Sequence, residues 1–294
     1  MLALAETRFS FVGDEYIYAE ISREMSVSTS FKALAVTREL HARTIPGIID
    51  ICPANASYLI RYNPDIVSPY DLLDYLKEID LTKSRPEALN LTSRIVEIPT
   101  WYNDPTTREY AQRFKNRNES PHFSDFELVM KSRGFMDEQA FIDDHASTPY
   151  LLTMVGFILG TAWEFPLLLP SDGVFDIPKY KSPRTETPRQ AIGMGGAFTV
   201  VYPVASSGSY QLIGITPVPV YHPEQRLAEF KDSMFLARPG DIWVHRPIGE
   251  TEYYSIFTQV ENGIYRYRTK NFDFSPEQYA QEGKAYIDSM MKGF

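Results

Sequence analysis

From residue 150 to about residue 267, short apolar runs alternate with proline and glycine. Strands this short, cut by turn signals, bury their apolar side only by curling or stacking. This half of the chain therefore reads as a β-barrel or a β-sandwich. The first half has a different texture. Phe9, Phe11 and Val12, then residues 16–21, form two β-rich runs divided by the turn signal Gly13-Asp14. Phe31, Leu34, Ala35, Arg38 and Leu40 follow helical spacing, with Ser28 or Ser30 as the cap and Pro46-Gly47 as the break. Residues 48–52 and 57–62 read as paired strands. Ser68-Pro69 opens a second helix whose apolar side carries Tyr70, Leu73, Leu76 and Lys77. The order of these elements gives a small sheet with helices on one face.

After a polar linker at 83–87 comes a strand at 95–102, then helices at 106–116, 125–132 and 137–145. The last opens with Asp137-Glu138, acids that favour a helix N-terminus. Ser275-Pro276-Glu277 caps a final helix running to about Met291. The expected class is α+β. An N-terminal α/β subdomain occupies 1–88. A β domain follows at 89–270, with a helical insert at 104–146, and a C-terminal helix closes the chain at 271–294.

Charge excludes some functions. Lysine and arginine number 29 against 38 acids, a net charge of −9. A phosphate-backbone binder needs a basic face. The dense basic cluster at 108–117 is diluted by acids, so nucleic acid is not an expected partner. No stretch approaches the ~20 apolar residues of a spanning helix. The opening Met1-Leu2-Ala3-Leu4-Ala5-Glu6 lacks the basic region of a secretory signal. Cys52, the single cysteine, lies in an apolar run and reads as a small buried residue. No internal disulfide can form, which points to a reducing compartment, the cytoplasm.

Cofactor motifs are sparse. His41, His122, His222 and His245 make no metal-ligand spacing with another ligand-type residue. There is no Walker-type loop and no Met-Lys-Met biotin acceptor. Ser206-Ser207-Gly208 lacks the strand–elbow–helix context of a hydrolase nucleophile. The expectation is that this chain binds no metal and no cofactor of its own.

The joint order of several short motifs carries a resemblance. In the first half these are Gly13-Asp14, the run from Ile45-Pro46-Gly47 through Pro53-Ala54, and Tyr62-Asn63-Pro64. In the second half they are His145, Tyr150 and Gly156-Phe157, then the doubled Pro183-Arg184 and Pro188-Arg189. Gly193, Gly196, Thr199 and Tyr202-Pro203 follow in a glycine-rich stretch. Residues 206–210, Ile213-Gly214, Thr216-Pro217, Pro239-Gly240-Asp241 and Pro247-Ile248 complete the series. Over roughly 9–254, apart from an insert at 102–132, the chain resembles a family with three branches. These are allophanate hydrolase subunit 1, the B-type subunit of 5-oxoprolinase and the carboxyltransferase portion of urea carboxylase.

That resemblance implies a cyclophilin-like antiparallel β-barrel in the second half. It also implies a homologous second carboxyltransferase-type subunit, with a cleft formed between the two. The chemistry implied is biotin-dependent carboxyl transfer or ATP-dependent lactam or amide cleavage. Biotin would arrive on another protein, with a biotin carboxylase or carrier as a further partner, and ATP on another subunit. Such chemistry needs donors for developing oxyanions and a base near nitrogen. The implied catalytic residues are His145, for proton transfer or orientation, and Arg189, for a bidentate grip on a carboxylate. The implied substrate-binding residues are Tyr150, Gly156, Phe157, Arg184, Gly193, Gly196, Phe198 and Tyr202.

Each has a plainer reading. His145 also fits a helix end facing terminal carbonyls. Tyr150 and Phe157 fit barrel core. Gly193, Gly195 and Gly196 fit either a loop of backbone donors or bulges and tight turns. Arg184 and Arg189 fit a solvated basic edge. Asp143-Asp144 fits either an orienting pair for His145 or an exposed helix face.

The sequence departs from the family pattern at informative places. Gly156-Phe157-Ile158-Leu159-Gly160-Thr161 stands where the family has G-F-x-P-G-F. Phe198 replaces a glutamine and Ile215 an arginine, and Tyr102-Asn103-Asp104 stands for Tyr-Gly-Gly. A pocket built on Phe198 and Ile215 is less polar than one for urea or 5-oxoproline. The same losses fit a non-catalytic regulator, like the related protein that inhibits a sporulation kinase.

Overall fold

The computed structural model describes residues 6–168 and 174–294. These form two units: the described residues up to Ser93 with Asn271–Phe294, and Arg94–Lys270.

In the first unit, β1 (Arg8–Phe11), β2 (Tyr16–Glu20), β3 (Ile48–Pro53) and β4 (Ser57–Tyr62) make an antiparallel sheet in the order β1-β2-β4-β3. Period-2 alternation turns Ile17, Ala19, Tyr58, Ile60 and Tyr62 to one face. They pack on α1 (Val27–Arg43) and α2 (Pro69–Thr82) through Ala33, Val36, Leu40, Leu72, Leu76 and Ile79. Ser68 caps α2 and Pro69 begins it, as expected. The buried stripe, however, is Leu72, Leu76 and Ile79, while Tyr70 is exposed.

The cap of α1 is Ser26, not Ser28 or Ser30. Its hydroxyl accepts from the Thr29 backbone N–H at 3.1 Å, and Ser30 instead donates to the Asn55 carbonyl. Cys52 is exposed rather than buried, because Ile51 takes the inward position of β3 and alternation turns its neighbour outward. Partial burial of the sulfur and the nearby Asp50 carboxylate push its thiol up to about 11. A buried polar cluster lies in the same unit: Lys32 Nζ pairs with Asp80 at 2.7 Å, and Thr7 and Tyr58 hydroxyls donate to that carboxylate.

The expected single C-terminal helix is β14 (Thr269–Phe274) followed by α7 (Pro276–Glu282) and α8 (Lys284–Met291). The break is Gly283, at φ 56 and ψ −120, a conformation only glycine holds without strain. Phe274 stacks on Phe31 at 4.7 Å, so the end of the chain completes the first unit.

The second unit is built on β5 (Leu91–Tyr102), β6 (Tyr150–Val155), β7 (Ala162–Pro166), β9 (Ala191–Gly195), β10 (Phe198–Val201), β12 (Gln211–Ile215) and β13 (Ile242–Pro247). Within this unit the sheet order is β12-β9-β10-β7-β6-β13-β5, and β12 also pairs with β5. The pairings among seven of these strands thus return on themselves. An antiparallel sheet was expected throughout, but β5 and β13 run parallel. A parallel pair needs a long crossover, and here the intervening strands and helices supply it. The two short strands β8 (Arg184–Thr187) and β11 (Ser206–Gly208) form a separate ribbon.

The insert helices appear where expected, as α3 (Pro105–Phe114), α4 (Asp125–Ser132) and α5 (Glu138–Ser147). An unexpected helix, α6 (Glu250–Glu261), follows β13. The core of the unit gathers Val96, Ile98, Leu152, Ala162, Ile192, Met194, Val201, Ile213 and Trp243. Among the described residues, no helix is long and apolar enough to cross a membrane.

Candidate functional site

Strands β7, β9 and β10 present two faces, and the candidate residues divide between them. In β7, Ala162 and Glu164 share one parity, while Trp163 and Phe165 share the other with Thr161 just ahead. In β10, Thr199 and Val201 oppose Phe198 and Val200. The parity of Ala162 and Val201 joins the core; the parity of Trp163 and Val200 lines a cleft.

The core-facing side carries a sealed polar network. His145, in the last turn of α5, is 1% exposed. Its Nδ1 lies 2.7 Å from the Tyr102 hydroxyl and its Nε2 3.2 Å from Thr199 Oγ1. Burial holds its pKa well below the ordinary histidine value, helped by His245 and Arg133. The ring of His245 is 4.8 Å away. His245 Nε2 meets Glu164 Oε2 at 2.8 Å, and its Nδ1 meets Thr100 Oγ1 at 2.9 Å. The single hydroxyl proton of Thr100 goes to the Ile98 carbonyl. Among the described residues, Tyr150 OH and Glu164 Oε1 have no hydrogen-bond partner. The network is closed to solvent, so it braces the strands and does not present His145 to a ligand. Asp143 accepts from Gln139 and Asp144 from Arg133.

The opposite side forms a half-open cleft of about 120 Å³. Phe157, Trp163, Val200, Tyr202 and Tyr210 supply its apolar walls, with Thr161, Ser209 and Lys179 as the polar members. Trp163 meets Phe198 edge to face at 5.2 Å and Tyr210 at 5.9 Å. Its indole N–H donates to the Gly156 carbonyl, so Gly156 holds a wall of the cleft and contacts no ligand space itself. Phe157 stands at the rim, 68% exposed, at φ 76.

The glycine-rich stretch makes room for the tyrosines. A Cβ on Gly195 would lie 2.4 Å from the Tyr210 ring, and one on Gly193 3.1 Å from Tyr210 Cβ. These glycines are not a loop of free donors. Gly193 and Gly195 belong to β9, and the Gly196 N–H is taken by the Ile177 carbonyl at 2.7 Å.

Arg184 is neither a ligand grip nor a solvated edge. It is fully buried, donates to the Tyr210 carbonyl at 2.7 Å, pairs with Asp125 at 3.5 Å and lies over the Tyr180 ring. It positions Tyr210 from behind. Burial pushes the Tyr202 hydroxyl up, with Arg184 pulling the other way. Arg189 is exposed, donates to Gln190 Oε1 and has no bond to His145.

Phe198 and Ile215 do not build one pocket. Phe198 pairs with Gly195 and Ile215 with Ala191. These partners are four residues apart on β9, or about 13 Å at ~3.3 Å per residue. Ile215 sits instead beside Trp101 where β12 meets β5. Sequence reasoning missed Lys179, Thr161, Glu164 and His245. The last two were detectable as an acid and a histidine at core parity within apolar strands.

Residues 7–230 match the carboxyltransferase domain family, subdomains C and D. The chain belongs to this family. Within it, the B-type subunit of 5-oxoprolinase from Bacillus subtilis is 27% identical over 83% of this chain and 94% of that protein. Urea amidolyase of Saccharomyces cerevisiae is 24% identical over 95% of this chain, which spans only 15% of the yeast protein's length. Urea carboxylase of Kluyveromyces lactis superposes with a TM-score of 0.80 at 20% identity, covering 97% of this chain and 26% of that one. At that identity the likeness establishes the fold, which is the mixed α/β carboxyltransferase fold with large sheets.

Proposed function

We propose that this carboxyltransferase-family chain is one component of a multi-chain enzyme whose active site is completed by a homologous second chain. The observation that carries this reading is the match, over 83% of this chain and 94% of the relative, to a 5-oxoprolinase component that is named as a subunit. The reaction is biotin-dependent carboxyl transfer or ATP-dependent opening of a lactam or amide. Biotin comes on a carrier protein and ATP on another subunit. The compartment is the cytoplasm. The returning strand pairings of the second unit are read as a cyclophilin-like barrel.

In this reading the cleft is this chain's share of the site. Charge that develops on oxygen meets the Lys179 ammonium. Phe157, Phe198 and Tyr202 shape the substrate's seat, and Gly193 leaves the room into which Tyr210 and Tyr202 pack. Arg184 and the His145–Tyr150 side hold that seat from behind. Arg189 enters as an exposed guanidinium open to a carboxylate. Among the described residues, none lining the cleft is a carboxylate or an imidazole, so in this reading the base at nitrogen comes from the second chain.

That same lack of a base favours one other reading, a regulatory binding protein that has kept the fold without turnover. Co-expression with a homologous carboxyltransferase-type subunit separates the two. The enzyme reading expects stoichiometric co-purification and turnover of 5-oxoproline with ATP, or of an amide with carboxybiotin. A stable complex without either turnover favours the regulator. A chain indifferent to the second subunit sinks the enzyme reading.

A further inference from the structure

We infer that the cleft walled by Trp163, Tyr202 and Tyr210 takes a single flat ring bearing a carboxylate, in the class of monocyclic aryl carboxylates. This deepens the reading of the cleft as the substrate site and rests on it for biological meaning, but the binding itself needs no second chain.

Three features select this class. The first is size: about 120 Å³ is close to the ~150 Å³ of a cavity that holds benzene, so one ring fits. The second is the walls. Trp163 and Tyr210 stand edge to face, Phe157 closes the rim, and aromatic walls favour an aromatic occupant in offset or edge-on contact. The third is charge. Lys179 Nζ lies 5.3 Å from the Tyr210 ring centroid at the cleft and, among the described residues, makes no ion pair. An unpaired ammonium at an apolar mouth selects an anion. Its position matches a carboxylate on a ring lodged against Tyr210. Gly196, at φ 54, holds the left-handed backbone that favours glycine beside the Lys179 stem.

The test is calorimetric titration of the chain alone with benzoate, its neutral isostere benzamide, and 5-oxoproline. Benzoate is expected to bind at least tenfold more tightly than either of the others. Lys179→Met, at an exposed position that should leave the melting temperature unchanged, is expected to bring benzoate down to the affinity of benzamide and leave benzamide unaltered. Trp163→Leu should weaken both aryl ligands together. Equal affinity for benzoate and benzamide, tighter binding of 5-oxoproline, no heat with benzoate, or a Lys179→Met chain that binds benzoate as the native one does would each overturn the inference. An active two-subunit complex whose lone chain ignores benzoate would overturn this inference and leave the enzyme reading standing. Benzoate binding by a chain that forms no active complex would do the reverse.

Discussion

At the scale of single residues, burial decides what the ionisable groups can do. An unfolded histidine titrates near ~6.5, whereas burial holds His145 well below its ordinary value in the folded chain. Between those two values the unfolded chain binds a proton that the folded chain refuses. Stability is therefore fullest above about pH 6.5 and falls as the pH drops, with a limiting slope of about 1.4 kcal/mol per pH unit for one such group. His145→Gln keeps polar atoms near Tyr102 and Thr199 and removes the titration. Urea unfolding at about pH 7 and about pH 5 should show the variant losing less stability across that interval than the native chain; equal losses would mean that His145 is not held neutral. Arg184 gives a second test. It is fully buried beside Asp125, itself 2% exposed. Arg184→Met takes away that carboxylate's counter-charge, leaving it the donors Tyr180, Leu212 and Asn118, and should cost roughly 3–5 kcal/mol. Adding Asp125→Asn should recover part of the loss, and full additivity of the two costs would refute the coupling. The residue types at these positions were legible in the sequence, but their burial was not. His145 and Arg184 sit in motifs that look ligand-facing, and only the parity of the neighbouring strands reveals that one faces core and the other supports a tyrosine from behind.

At the scale of elements, the strands and insert helices followed from alternation, caps and turn residues, because those signals are local. Two elements escaped for local reasons. In α6, Tyr253, Tyr254, Ile256, Phe257 and Val260 are strand-favouring types, and the buried face consists of Ile256 and Val260 alone, too thin a stripe to announce a helix. In the C-terminal segment, helical spacing continues across Gly283, which nevertheless ends α7. The junction of β12 with β5 was invisible because it joins residues more than a hundred positions apart. Gly214 makes that junction possible. A Cβ there would lie 2.6 Å from the Trp101 carbonyl oxygen and 3.1 Å from Tyr102 Cα, and backbone atoms cannot swing aside as a side chain can. Gly214→Ala should therefore force β12 from β5 and cost about 1–3 kcal/mol. Faster amide exchange at Asn103, whose N–H donates to the Ile213 carbonyl, would report it. Gly249→Ala is the control: nothing lies within 4 Å of its Cβ and φ is −98, so less than about 1 kcal/mol is expected. Equal costs at the two sites would remove the close approach as the explanation.

At the scale of the whole chain, linear order and spatial order part company at the end. A sequence read from left to right makes 271–294 an appendage, since nothing local says that it returns to the first unit. The structure makes it part of that unit's core. Phe274 is fully buried on Phe31, Tyr279 and Tyr286 are each 4% exposed, and Met290 is fully buried. Each such side chain contributes about 1.5–3 kcal/mol by burial, and four together rival the ~5–15 kcal/mol that holds a typical domain. A chain ending at Lys270 would lose all four and leave Phe31 facing water. Hydrogen exchange on that truncated chain should show protection lost in β1–β4, α1 and α2. Protection should persist in β6, β7, β9 and β10, whose pairings lie wholly within Arg94–Lys270. The alternative is a uniform loss across both sets of strands, which would mean that the two units do not unfold separately. Retained protection in β1–β4 would mean that the C-terminal segment is an ornament after all, and the left-to-right reading of the sequence would then be the better guide to its stability.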